Sequence, residues 1–224
     1  MKKNILLLIW LATVLFSCGK GSKSTANDLD VKTLDSRNNV KSQKLLNRSN
    51  EKFIDTEFEY TESNGARIII QNSFPKSGLN YTDPKGKKYV YAVFWSRVIN
   101  ETDNSLELTI DVPLDSFEIP TSSGNYMNLL FPTDSMTIDK EPLYDYGLKV
   151  KYFLDKNRHK SSSLKRTINA KGSSVFYVVT LSNSAVNGTM RTGFSLKEKN
   201  LFYRINNKEI HCGKIELKKT MLNK

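Results

Sequence analysis

The stretch KYVYAVFWSRVI, residues 88–99, decides the fold. Read with a period of two, Tyr89, Tyr91, Val93, Trp95 and Ile99 fall on one face and Val90, Ala92, Phe94 and Val98 on the other. Strand side chains alternate between faces, and a strand that is apolar on both must be covered on both. The pattern predicts a central strand buried on two sides for part of its length. After the polar turn 100–105, Leu106, Leu108, Ile110 and Val112 alternate with Glu107, Thr109 and Asp111, which marks a strand with one wet face. Two such runs joined by a short turn predict a hairpin.

Working outward, Ile54, Thr56, Phe58 and Tyr60 alternate with Asp55, Glu57 and Glu59, predicting a strand with an acidic outer face. Residues 66–71 hold the run Ile68-Ile69-Ile70, and a Pro/Gly-rich segment, 73–88, separates it from the central strand. Shorter strands are predicted at 117–119, 126–131 and 136–138, punctuated by Pro113, Pro120 and Pro132. Leu148, Val150, Tyr152 and Leu154 form another period-two set, with Lys149 and Lys151 outside. Residues 164–168, 175–181, 190–196, 201–205 and 210–217 complete the series, with Val175, Tyr177, Val179 and Leu181 sharing a face. No amphipathic helix of three turns is apparent after residue 50. Many short strands with turns between them predict an all-β antiparallel sandwich over residues 51–219, with a short tail at 220–224. The strand–turn–strand around Asn100-Glu101-Thr102 resembles the immunoglobulin-like modules of bacterial lipoproteins, which implies an immunoglobulin-like sandwich. The Cys…Trp…Cys spacing of antibody domains is absent.

The amino terminus speaks of location. Lys2 and Lys3 precede an apolar run, residues 5–16, that closes at Leu15-Phe16-Ser17-Cys18. As a helix the run would span about 18 Å, short of the roughly 30 Å hydrocarbon core, so an export signal over residues 1–17 is the better reading. Leu15-Phe16-Ser17-Cys18 resembles the lipobox of bacterial lipoproteins. That resemblance implies lipidation of Cys18, cleavage before it and acylation of the new amino terminus, which would hold the protein on a membrane. Surface-exported lipoproteins of the Bacteroidetes type carry acids after the cysteine. Here the run is Gly19-Lys20-Gly21-Ser22-Lys23-Ser24, and no aspartate marks inner-membrane retention. The comparison implies the outer membrane, on its periplasmic face. Asp134-Ser135-Met136 resembles the O-glycosylation motif of exported Bacteroidetes proteins. Residues 18–50 are rich in Ser, Asn, Lys and Asp and predict a flexible, disordered tether behind the lipidated cysteine.

The net charge of +11 is unevenly spread: −8 over residues 51–146, +7 over 147–171 and +6 over 172–224. A uniformly basic nucleic-acid binder is a poor description, and no nucleic-acid partner is expected. With Cys18 lipidated, Cys212 has no disulfide partner and reads as a small buried hydrophobe. His159 and His211 lie in no zinc motif, no Gly-rich phosphate loop occurs, and neighbouring His211 and Cys212 would point to opposite faces of a strand. No cofactor is expected.

Two clusters remain. Asp134, Asp139, Glu141 and Asp145, with Tyr144 and Tyr146 beside them, could supply oxygens to calcium or a carboxylate pair to glycoside hydrolysis. Solvated loop acids are the plainer reading. Lys149, Lys151, Lys156, Arg158, Lys160, Lys165 and Arg166 fall across a predicted strand, loop and strand, a hairpin able to attract phosphate, uronic acid or anionic headgroups. Lysines guarding an edge strand, or pairing of Lys149 and Lys151 with Glu57 and Glu59, would account for the same charges. The reading that follows is a non-catalytic cell-envelope lipoprotein, a binding or assembly module anchored to the membrane, with an envelope protein or anionic polysaccharide as partner. A carbohydrate-active enzyme using the carboxylates of 131–146, and an accessory subunit of an outer-membrane complex docking by a strand edge, stay open beside it.

Overall fold

A computed structural model describes residues 52–112, 117–120, 122–186 and 190–218. Cys18, the export signal, the tether and the tail 220–224 lie outside the described residues. The strands are β1 (Ile54–Thr61), β2 (Arg67–Ser73), β3 (Lys76–Thr82), β4 (Lys88–Asn100), β5 (Leu106–Val112), β6 (Phe117–Glu118), β7 (Tyr126–Leu130), β8 (Ser162–Ile168), β9 (Ser173–Ser182), β10 (Thr192–Lys197), β11 (Asn200–Ile205) and β12 (Lys208–Leu217). Short turns at Ile138–Lys140 and Tyr144–Gly147 and the helix α1 (Val150–Asn157) lie between β7 and β8. All pairings are antiparallel: a seven-stranded sheet runs β1-β2-β4-β9-β7-β6 with β3 also on β4, and a five-stranded sheet runs β10-β11-β12-β5-β8. The all-β sandwich expected of the sequence is what forms.

The two faces of β4 explain the layering. Phe94 and Val98 point into the core between the sheets, with Ile68, Ile70, Leu106, Leu108, Ile110, Phe176, Val178 and Phe194. Val93 and Trp95 point the other way, into a second core with Tyr81, Tyr146, Leu148, Val150, Leu154, Tyr177 and Val179. Residues 131–160 form the outer layer that covers this face, so β4 is wrapped on both sides as its alternation requires.

The predicted hairpin between 88–99 and 106–112 does not form. β4 and β5 belong to opposite sheets, joined by an arch over residues 101–105. Asn100, fully buried, organises it. Its Nδ2 donates to the carbonyls of Asn104 (2.8 Å), Asn169 (2.9 Å) and Ile168 (3.3 Å), and its Oδ1 accepts from Thr102 N (3.0 Å). A second arch, between β8 and β9, lies against the first through Asn100 N→Gly172 O and Lys171 N→Thr102 O. The doubly apolar β4 takes the centre of the larger sheet, while β5, with one polar face, fits the sheet whose outer face meets solvent.

At one edge a side chain joins the sheets. Asn72, fully buried on β2, donates from Nδ2 to Phe194 O (3.0 Å) and accepts at Oδ1 from Phe194 N (2.9 Å) and from Ser96 Oγ (2.8 Å). Its amide acts as one extra peptide beside β10. Only glycine fits at 193, because a Cβ there would sit 2.9 Å from the Asn72 amide.

Other expectations are corrected. Residues 148–154 are not a strand. Val150 and Leu154 are buried one helical turn apart while Tyr152 is 62% exposed, which fits a 3.6-residue period. Residues 136–138 form no strand either: Met136 is buried and Ile138 exposed. The segment 73–88 is not a mere separator, since it holds β3 and a tight turn in which Asp83 N donates to Lys87 O and Gly86 N to Asp83 O. Glu57 does not face solvent. It is buried and accepts from Gln71 Nε2 (2.7 Å). In β12 a bulge resets the phase, so that Cys212 and Ile215 both reach the core.

Candidate functional site

The outer layer gathers the polar side chains that the sequence singles out. Its first feature is the turn 144–147. Asp145 (φ 47°), Tyr146 (φ 53°) and Gly147 (φ 74°) are all left-handed, a conformation costly for the two non-glycine residues. The turn is latched from below: Tyr91 OH donates to Asp145 Oδ2 (2.9 Å), Tyr177 OH to Tyr146 O (2.7 Å) and Tyr146 OH to Phe74 O. Asp145 is buried, and among the described residues its Oδ1 has no hydrogen-bond partner. Burial raises its carboxyl above the usual carboxylate range, against the Tyr91 hydrogen bond and the nearby Lys76 charge. Burial and the Asp145 hydrogen bond raise the Tyr91 phenol as well. Asp134 and Asp139 stay exposed on the surface and Glu141 is half-buried. Among the described residues no group of three His, Cys, Asp or Glu is placed to hold a metal ion, so Asp134, Asp139, Glu141 and Asp145 do not converge as calcium ligands.

The second feature is the basic segment, which is not a hairpin. α1 carries Lys151 and Lys156, with Lys149 before it and Lys160 after it, all exposed. Lys165 lies on β8 in the other sheet, 3.7 Å from Glu107, and the half-buried Arg166 donates to the Lys165 carbonyl. The seven cations are therefore divided. Lys149 and Lys151 do not pair with Glu57 or Glu59: Lys151 bonds Asp155 (3.0 Å), and Glu59 faces Arg67 (3.4 Å).

Arg158 departs furthest from its expected role. Its side chain is 5% exposed and forms an ion pair with Asp83 (2.9 Å), itself 4% exposed. Arg158 Nη1 also donates to Tyr81 OH (3.2 Å), and Tyr81 OH donates to Asp155 Oδ1 (2.8 Å). Asp83 further accepts from the N–H groups of Lys85 and Lys87, each at 2.8 Å. Burial opposes the Asp83 charge, but those two N–H groups and Arg158 outweigh it and hold its carboxyl below the usual range. Asp155 is likewise held low, by Tyr81 and then Lys151, and burial pushes Tyr81 up to about 12. Arg158 is a rivet between α1 and the β3–β4 turn, not a free ligand cation.

That rivet unites two charge clusters. The β3–β4 turn carries Lys85 and Lys87, and Lys88 opens β4, all three exposed. Lys87 Nζ lies 5.2 Å from the Tyr89 ring, Tyr89 lies 6.0 Å from Tyr81, and Lys151 Nζ lies 6.0 Å from the Tyr81 ring. The run Lys85-Gly86-Lys87-Lys88 is visible in the sequence, but nothing local places it beside α1. The remaining candidate thiol, Cys212, is buried with Sγ 3.5 Å from Leu201 O, and burial pushes it up to about 12. His211 lies on the opposite side, edge-on to Phe202.

Comparison with protein-family models, with curated proteins and with solved structures gives no match.

Proposed function

We propose that this chain is a lipid-anchored, non-catalytic binding or assembly module of the cell envelope. One observation carries the reading: the sequence Leu15-Phe16-Ser17-Cys18, preceded by Lys2, Lys3 and an apolar run too short to span a bilayer. Two structural features support it. The other cysteine, Cys212, is buried in the sandwich core and burial pushes its thiol up to about 12, so it offers no reactive thiol of its own. The polar groups of the outer layer are engaged in fixing that layer: Arg158 on Asp83, Tyr81 on Asp155, Tyr91 on Asp145. Tight internal pairing of this kind suits a rigid recognition surface.

The test is anchoring. Cells expressing the full chain are labelled with a fatty acid and fractionated. The wild-type chain carries label and sediments with membranes. Cys18→Ser carries none and keeps an uncut leader. Label that persists in Cys18→Ser, or a wild-type chain found unlabelled in the soluble fraction, rejects the proposal.

A further inference from the structure

The Arg158–Asp83 pair builds one surface out of two stretches nearly 70 residues apart in sequence. On it Lys87 of the β3–β4 turn lies over Tyr89 and Lys151 of α1 over Tyr81, the two rings 6.0 Å apart; Lys85 is exposed on the same turn, Lys88 is exposed at the start of β4, and Lys156 and Lys160 are exposed along α1 and just beyond it. The acids at hand are already committed, Asp83 to Arg158 and Asp155 to Lys151 and Tyr81. Tyr152 projects from the middle of α1, 62% exposed, with Lys156 Nζ donating to its hydroxyl and lying over its ring. We infer that this α1/β3–β4 face is a docking surface for the anionic headgroups of a lipid bilayer.

Three features favour a bilayer over a discrete anionic ligand. The exposed cations of the face are lysines, compact point charges, while its one arginine is internal. Recognition of a single carboxylate or phosphate favours the bidentate fork of arginine, whereas a diffuse surface potential is met by separate point charges. An exposed tyrosine among lysines has the apolar body and polar tip that suit the headgroup region. Finally, if Cys18 is acylated, the 32 residues 19–50, even fully extended, keep the sandwich within about 110 Å of the membrane. The sandwich is then held where even weak headgroup attraction acts intramolecularly. This last point rests on the proposed anchor, whereas the charge and the aromatic do not.

The experiment separates the two. Full-length Cys18→Ser protein is sedimented with vesicles of phosphatidylcholine alone and of phosphatidylcholine with phosphatidylglycerol. The apolar run of residues 5–16 contributes to both, and the basic residues of 1–50 add to the anionic vesicles equally in parent and variants, so the loss in the lysine variants reads the charged face. Excess binding to the anionic vesicles is expected, abolished by 1 M salt and reduced at least about tenfold by either Lys85→Glu/Lys87→Glu/Lys88→Glu or Lys151→Glu/Lys156→Glu/Lys160→Glu. All six side chains are exposed and the ion pair removed, Lys151–Asp155, lies on the surface, so both variants should melt within a few degrees of the parent. Equal binding to the two vesicles, excess binding that survives both triple variants, or preferential capture by a soluble polyuronate would overturn the inference. None of these results depends on whether Cys18 is acylated in cells, which the labelling experiment decides.

Discussion

At the residue scale, Asn72 does work that no apolar residue could. Its amide satisfies both the N–H and the C=O of Phe194 across the gap between sheets. Asn72→Ala leaves two buried backbone groups unpaired, at roughly 1–3 kcal/mol each. Chemical denaturation should show a loss on the order of 2–6 kcal/mol, and a loss below about 0.5 kcal/mol would mean that water replaces the amide. Asp145 is the opposite case. Burial raises its folded-state pKa, so the folded protein binds more protons than the unfolded chain above about pH 4. Its contribution is therefore most favourable at low pH and falls as pH rises through the raised value. Asp145→Asn keeps a side chain tolerant of positive φ and removes the buried charge. Thermal melts should show the variant as stable as, or more stable than, wild type at pH 7, with wild type gaining on it as pH falls toward 4. A pH-independent difference between the two would contradict that assignment. The sequence marks Asp145 only as one acid among four, because its neighbours Tyr91 and Tyr177 come from distant strands.

At the scale of elements, the period-two signal held in regular strands with one face on a core, and broke in β1 at buried Glu57 and in β12 at the bulge that turns both Cys212 and Ile215 inward. It is legible in Leu106, Leu108, Ile110 and Val112, and again in the set Val175, Tyr177, Val179 and Leu181. It failed at residues 148–154 for a definite reason. Positions 150 and 154 satisfy a period of two and a period of 3.6 alike, and Tyr152 alone distinguishes them. The arch at 101–105 was illegible because a hairpin and a crossover share the same local pattern. What separates them is Asn100 reaching Ile168 and Asn169, nearly 70 residues on. The docking of α1 depends on contacts of similar range, and its acid response follows from the carboxylates that make it. Asp83 and Asp155 both have lowered folded pKa values, so their stabilisation is complete above about pH 4 and is lost as pH falls through the lower values. Amide-exchange protection in α1 should collapse as pH falls below about 4, ahead of protection in β4. Simultaneous loss in both would show that the helix has no separate acid-labile attachment.

At the scale of the whole molecule, the sandwich architecture was readable from the number, length and alternation of its strands. Strand order was not, since pairing is chosen by which faces need covering. The composite lysine surface was half readable. Its charges lie in plain view in the sequence, yet their juxtaposition is created by one buried ion pair between Arg158 and Asp83. A protein built this way presents a rigid charged face on a disulfide-free core among the described residues, with a lipobox-like cysteine ahead of it.

The anchored-module account is tested most directly by the intact mass of the protein purified from membranes. A species lacking residues 1–17 and carrying thioether-linked diacylglycerol on Cys18 is the predicted result. A mass matching the unmodified 224-residue chain, or one cleaved with a free Cys18 thiol, would contradict it.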